Sequence, residues 1–535
     1  MLEHFTMHIS RLISTALITT MTAITASSCT QNEKDTSSPP VSCLRLPLPH
    51  DPATLDPRQA RDLLTIDVVR LMFSGLTRLS SDGKTNMDLA ESIEYQQDGL
   101  RYTVKLKEAT WSDNTAITAH DFVYTWKSLL EKQRACPNAF QLFWIRNAKA
   151  AYDGKMGIDE VGIRAPDDRT LEIDLEMACP FFEQLLATPA FLAIQKNFDM
   201  GKERYAENTG FPTSGPYMLS AWKPQDTVRL IRNPYYTASN HPIPFSVVDF
   251  AIVDDATAVA MVEAHKLDWA GSPMGTLPID SVPMLAAEHK LCVSPAAATS
   301  FIRVNVSHPL LCDQRLREAI SLVIDRPAMV QHLLQGGQQP TYTLVPSCLL
   351  TSPIPQGAID KQRAQDLVTA YCDEKGCTPE SLTITLSFQA EDRSIKVSMA
   401  VQQDIKKALG INLVLNPCDS KQLFAKVSQL EYDLALGSWV ADYFDPHTFY
   451  SVFERSSNGT NNTGWESFSY QSALEDSLKN RDAAVRQKYF SQLEEILAKE
   501  LPVIPLYHSS FNYVKEATVD GITVSPLGHL DIVQP

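Results

Sequence analysis

The amino-acid sequence predicts an α/β fold with mixed sheets, in which domains are built from discontinuous segments of chain. Three observations predict it. Strand-like runs alternate with amphipathic helical stretches, no linker divides the body into consecutive domains, and no internal repeat or low-complexity segment interrupts it. Strands are expected at 102–107, 170–175, 228–232, 383–388, 411–416 and 432–439, where branched and aromatic residues alternate with polar ones. Thr118 is placed to cap a helix through Phe122, Trp126 and Leu129, with Asp121 at N3 completing a capping box. Asp392 opens a second amphipathic helix that Gly410 ends, and Asp482 caps a long one reaching Leu497. Asp98-Gly99 reads as a hairpin turn, and Asn233-Pro234 as another turn.

The chain has 535 residues, enough for about three or four domain-sized units. Its 47 Lys+Arg against 63 Asp+Glu give a formal charge of −16, which disfavours nucleic acid and anionic membrane surfaces as partners. Residues 1–28 read as a signal peptide. An uncharged run from Leu12 to Ala26 follows Arg11 and ends in Ala26-Ser27-Ser28-Cys29. The run is shorter than the roughly 20 apolar residues that a spanning helix needs. Glu3 is out of place in such a leader, so Met7 is an alternative start. Cys29 after small residues resembles a bacterial lipobox, with a plain signal peptide as the alternative, and 29–42 then form a lipidated Cys and a flexible tether. The expected location is the periplasm or cell envelope, membrane-anchored.

Ten cysteines in an exported chain raise the question of disulfides. Cys372 and Cys377 are near enough in sequence to close a small loop, and the rest leave their pairing open. No C-x-x-C, HExxH, G-x-S-x-G, P-loop or G-x-G-x-x-G occurs in the sequence. The expectation is therefore a chain that is not an enzyme, with no metal site and no cofactor.

Several segments, in order, carry a resemblance. They are Asp56-Pro57, the stretch 89–92, 98–103, Trp111-Ser112-Asp113, 118–122, 214–217 and 232–236. Asn305, 317–320, 324–326, 439–443 and 501–507 complete the series. Together they resemble the dipeptide/oligopeptide-binding family of ABC importers, extracellular solute-binding family 5, over about residues 43–530. The resemblance implies a periplasmic-binding-protein type II (Venus flytrap) fold of two lobes and an additional domain. We expect lobe I at 43–73, 197–297 and 510–535, the extra domain at 74–196, and lobe III at 298–509. It also implies a monomer that binds short peptides with a free amino terminus and delivers them to an inner-membrane permease and its ATPases. Within the same family the alternatives are a nickel chelate, haem, an oligosaccharide, an opine or a cell-wall peptide. A surface interaction lipoprotein is the reading from outside it.

On their own, Arg317 and Asp325-Arg326 read as structural charges. Asp442, flanked by Trp439 and Tyr443, reads either as a satisfied loop carboxylate or as a partner for an organic cation. The resemblance favours the second: Asp442 would pair with the peptide's amino terminus, and Ser438-Trp439-Val440 with its backbone. Departures from the family are equally specific. Some relatives join the positions of Ala298 and Val440 by a disulfide, absent here. Leu436 and Ser394 replace an arginine and a histidine used near the peptide's carboxyl terminus. Arg61 and Arg303 stand where relatives often have acidic pocket residues, and Arg393 adjoins the lost histidine. The expectation is a preference for acidic or carboxylate-rich peptides.

Overall fold

The computed structural model describes residues 42–200, 205–206, 209–237, 243–354, 357–517 and 519–532. The signal peptide, Cys29 and nearly all of the tether lie outside them. No helix among the described residues is long and apolar enough to cross a membrane.

Three larger sheets form the frame. One has four strands in the order Cys43–Leu48, Val247–Ile252, Thr227–Arg232, Tyr217–Lys223, with the first pair parallel and the rest antiparallel. A second is an antiparallel meander-like sheet of Ala90–Tyr95, Arg101–Leu106, Thr170–Asp174 and Ile163–Asp167. The third has seven strands and runs Trp269–Gly271, Val503–Lys515, Cys292–Val304, Leu434–Val440, Thr383–Gln389, Asn412–Cys418, with Gln339–Pro340 added on Val503–Lys515. Its long middle strands are antiparallel, while Thr383–Gln389 runs parallel to both of its neighbours.

Local chemistry explains the elements. Thr118 caps the helix Ala119–Leu129, and Asp121 Oδ2 accepts the Thr118 N–H at 2.9 Å and its hydroxyl at 3.0 Å. That helix buries Phe122, Trp126 and Leu129 in the largest core cluster. Helix Asp392–Leu409 stops at Gly410, which takes the left-handed conformation (φ +76°) that a branched side chain resists. Asp482 accepts the N–H groups of Ala484 and Val485, both at 2.9 Å, to start Ala483–Glu500. Gly215 is required for a reason other than turn conformation: a Cβ there would lie 2.6 Å from the carbonyl carbon of Met72, whose oxygen accepts the Gly215 N–H at 2.8 Å. The nine described cysteines are all free thiols.

Buried charge is used structurally. Arg326 is fully buried and donates to the carbonyls of Pro505, Ser321 and Ile324, with its guanidinium 4.1 Å from the Tyr342 ring centroid. Arg317 likewise donates to the carbonyls of Leu311, Cys312 and Glu500, and Asp325 accepts the Ala328 N–H, in keeping with their structural reading. Arg486, on Ala483–Glu500, grips Asp445 through both terminal nitrogens at 2.5 and 2.8 Å, with both side chains under one-tenth exposed. Removing one partner of such a pair strands a buried charge and costs about 3–5 kcal/mol. Arg486→Leu is therefore expected to lower the chemical-denaturation midpoint sharply at neutral pH, whereas Arg486→Leu with Asp445→Leu recovers much of the loss; equal midpoints for the wild type and the single variant would show the pair to be idle.

Candidate functional site

The strand Leu434–Val440 is paired on one edge over its whole length, with Leu434 opposite Val304 and Val440 opposite Ala298. On the other edge only Leu434 and Ala435 find partners, Leu386 and Ser387 of the neighbouring strand. Past Gln389 that neighbour gives way to helix Asp392–Leu409, so from Leu436 to Val440 the second edge has no strand partner among the described residues. Such an edge carries backbone donors and acceptors able to pair with an added extended chain. Its entry is pinned by Asp433, whose Oδ2 accepts the Thr385 N–H at 2.8 Å and whose carbonyl accepts the Asn305 N–H at 3.0 Å.

A cavity of about 560 Å3 opens in the wedge between the diverging elements. Ser438, Trp439 and Val440 line it from the strand, while Arg393 and Ser394 line it from the helix. Arg303 reaches it from the adjoining strand, beside Ala435. Its Nη1 donates to the carbonyls of Thr460 and Asn461, both at 3.0 Å, and its guanidinium lies 5.3 Å from the Phe301 ring centroid. No carboxylate lies within ion-pair distance of it among the described residues, and burial pushes its pKa below the usual arginine range.

Two residues beyond the strand, Asp442 opens into a second cavity, of about 390 Å3. The loop is fixed from both sides: Ala441 N–H donates to the Ala297 carbonyl at 2.9 Å, and Asp445 is held by Arg486 and accepts the His447 N–H at 2.9 Å. Asp442 accepts only from the Thr448 hydroxyl, at 3.3 Å, and has no basic partner among the described residues. Its carboxylate is reached by solvent through the cavity yet closely ringed by protein. That surrounding raises its pKa to about 6, with the Thr448 hydroxyl opposing the rise. Tyr443 is buried, stacked on Phe181 at 4.5 Å, and its hydroxyl meets His447 Nδ1 at 2.8 Å. Burial holds His447 at about 4, so it is neutral at pH 7. Tyr443 is thus a cavity wall whose polar end is already used.

The structure brings Arg303, Arg393, Ser438, Trp439 and Val440 round one cavity and places Asp442 and Tyr443 on the other. Arg61 is exposed just before helix Leu63–Met72 and lines neither of them. A larger space of about 620 Å3 adjoins Arg58, but that guanidinium is fully engaged by Asp56 and Asp199 at 2.7–3.2 Å. The anchors of the site, Arg486, His447 and the Thr460–Asn461 carbonyls, carry no local sequence signal; an arginine on the apolar stripe of a helix was the one visible hint.

Residues 84–461 match the profile of the bacterial extracellular solute-binding proteins, family 5 (middle region). The chain belongs to this family. It is 29% identical to the oligopeptide-binding protein OppA of Bacillus subtilis, over 91% of each chain. Among solved structures, the murein tripeptide-binding protein MppA of Escherichia coli superposes with a TM-score of 0.74 at 25% identity, over 93% of this chain and 99% of that one. The substrate-binding domain of an oligopeptide ABC transporter from Bacillus anthracis gives 0.71 at 26% identity, over 92% and 99%. The fold is accordingly the α/β type II class of binding proteins.

Asp442 supplies a test of this geometry in the free protein. Its folded pKa, about 6, lies above its usual 3.8, so the fold penalises the ionised form. The resulting relative stability is fully present below pH 3.8 and is lost as pH rises through about 6. Asp442→Asn, which cannot ionise, should raise the thermal midpoint of the ligand-free chain at pH 7.5, with the gap closing near pH 4. Equal midpoints at pH 7.5 would mean that the carboxylate is not desolvated.

Proposed function

We propose that this family 5 protein is the peptide-binding component of an ABC importer, not an enzyme. One observation carries the reading: a strand edge unpaired among the described residues, Leu436 to Val440, ends at a carboxylate that has no cationic partner among them. A peptide laid along that edge pairs its backbone with the strand and brings its α-ammonium to Asp442. Main-chain pairing binds without reading side chains, which suits a carrier of varied short peptides. The family and the names of its relatives point the same way. The partners would be an inner-membrane permease and its ATPases, with the binding protein acting as a monomer.

The lobe division given above is part of this reading. Two 13-residue strands, Cys292–Val304 and Val503–Lys515, run across the proposed boundaries at 297/298 and 509/510. Their pairing register shifts between Pro295 and Thr299, at the same place. An irregular stretch in a long two-strand connection is where a hinge absorbs backbone rotation.

Two measurements test the proposal. By titration calorimetry at pH 7.5, Asp442→Ala or N-acetylation of a bound peptide should cost about 2–5 kcal/mol, since either leaves a buried charge unpaired. That is roughly thirty-fold to several thousand-fold in affinity; unchanged affinity would remove Asp442 from the site. For the anchor, the exported chain should partition into the detergent phase and Cys29→Ala into the aqueous phase, and identical partitioning would leave only a plain signal peptide.

A further inference from the structure

Most buried or half-buried arginines described above reach a closed network. Arg58 is saturated by two aspartates, Arg486 by Asp445 and the Ser477 carbonyl, and Arg326 by carbonyls, the Ser321 hydroxyl and the Tyr342 ring. Arg303 does not. Its Nη1 is spent on two carbonyls that fix the group in place, whereas Nε and Nη2 have no acceptor among the described residues. Gly437 sets no side chain against that edge, where a Cβ would stand 3.5 Å from Nε. Arg393 lines the same cavity and has no ion-pair partner among the described residues. The cavity's one carboxylate, Glu391, is exposed and accepts from Gln389 Nε2 at 2.5 Å.

We infer that Arg303 is a specificity-determining residue that receives a carboxylate of the bound ligand, with Arg393 adding to the positive field of that cavity. The inference rests on the peptide reading above and deepens it by naming the chemistry selected. A guanidinium fixed at one nitrogen and open along its Nε–Nη2 edge presents two parallel donors at the spacing of carboxylate oxygens. Its partial desolvation makes an incoming anion more valuable there than at an exposed arginine. The carboxylate can be an acidic side chain or the ligand's carboxyl terminus, and the chemistry demanded of Arg303 is the same.

The test is calorimetry on the exported protein with pentapeptides based on an alanine frame. One arm replaces each position in turn by Glu or Gln; the other compares free and amidated carboxyl termini. In the wild type, a carboxylate in at least one place should improve affinity about tenfold or more over its neutral counterpart. Arg303→Gln should erase that ratio, so that charged and neutral peptides bind the variant with equal affinity. Arg303→Lys, which keeps the charge but loses the fork, should retain only part of it, and it replaces Arg303→Gln if the latter does not fold. Equal affinities for charged and neutral peptides in the wild type, or a ratio that survives both substitutions, would overturn the inference. Failure of every peptide to bind the wild type would instead overturn the peptide reading.

Discussion

The strand Leu434–Val440 is committed on one edge and released on the other, and the site follows from that mismatch. Thr383–Gln389 accompanies it only at Leu434 and Ala435, and the chain then turns into helix Asp392–Leu409. The wedge so opened is the cavity, and the strand left bare along it supplies backbone groups at a spacing of about 3.3 Å per residue. Dry and unpaired, each such group would cost about 1–3 kcal/mol. The open cavity gives water access to the edge, and a ligand that replaced such water by hydrogen bonds of equal quality would fit it without penalty. Recession between diverging elements also manages the aggregation risk that a bare edge carries.

What holds the mismatch in place lies outside the cavity. Asp433 ties the entry of the strand to Thr385 and Asn305, and the Ala297 carbonyl ties its exit. Arg486 then clamps Asp445 three residues beyond Asp442, and neutral His447 closes the loop onto Tyr443 and Phe181. Each of these polar groups is satisfied, so the loop is rigid where it must be. Among the described residues, Asp442 and the open edge of Arg303 keep unused hydrogen-bonding capacity and face cavities, while Trp439 Nε1 is buried without a partner.

Much of this was legible in the sequence, for physical reasons. Alternation located the core strands to within one or two residues: 432–439 against Leu434–Val440, and 411–416 against Asn412–Cys418. Capping chemistry is local, so Thr118, Asp482 and Gly410 were placed correctly. The order of strands in the sheets was not legible, because pairing such as Cys292–Val304 with Val503–Lys515 joins residues some two hundred positions apart. For the same reason the pairing of Arg486 with Asp445, and the tethering of Arg303 by carbonyls 157 and 158 residues away, left no trace in spacing. Gly215 is needed for close backbone approach to Met72, a contact between distant segments that no local pattern reveals. Arg61, grouped with Arg303 by sequence, stands outside both cavities.

The two cavities differ in sign. Around Asp442, the carboxylates of Glu454 and Glu475 join it against Arg455 alone, His447 being neutral. Around the strand edge, Arg303 and Arg393 face Glu391. From Ala435, beside Arg303, to Val440 the strand covers about 17 Å, so the opposed fields act over a distance longer than the physiological Debye length of about 8 Å. In water each end would be screened from the other; inside walled cavities the screening is weaker. On the proposed peptide reading, a zwitterionic chain would meet one favourable orientation, ammonium towards Asp442 and carboxylate towards Arg303, before any backbone hydrogen bond formed. The strand edge accepts either direction of pairing, and it is the separated charges that distinguish the two.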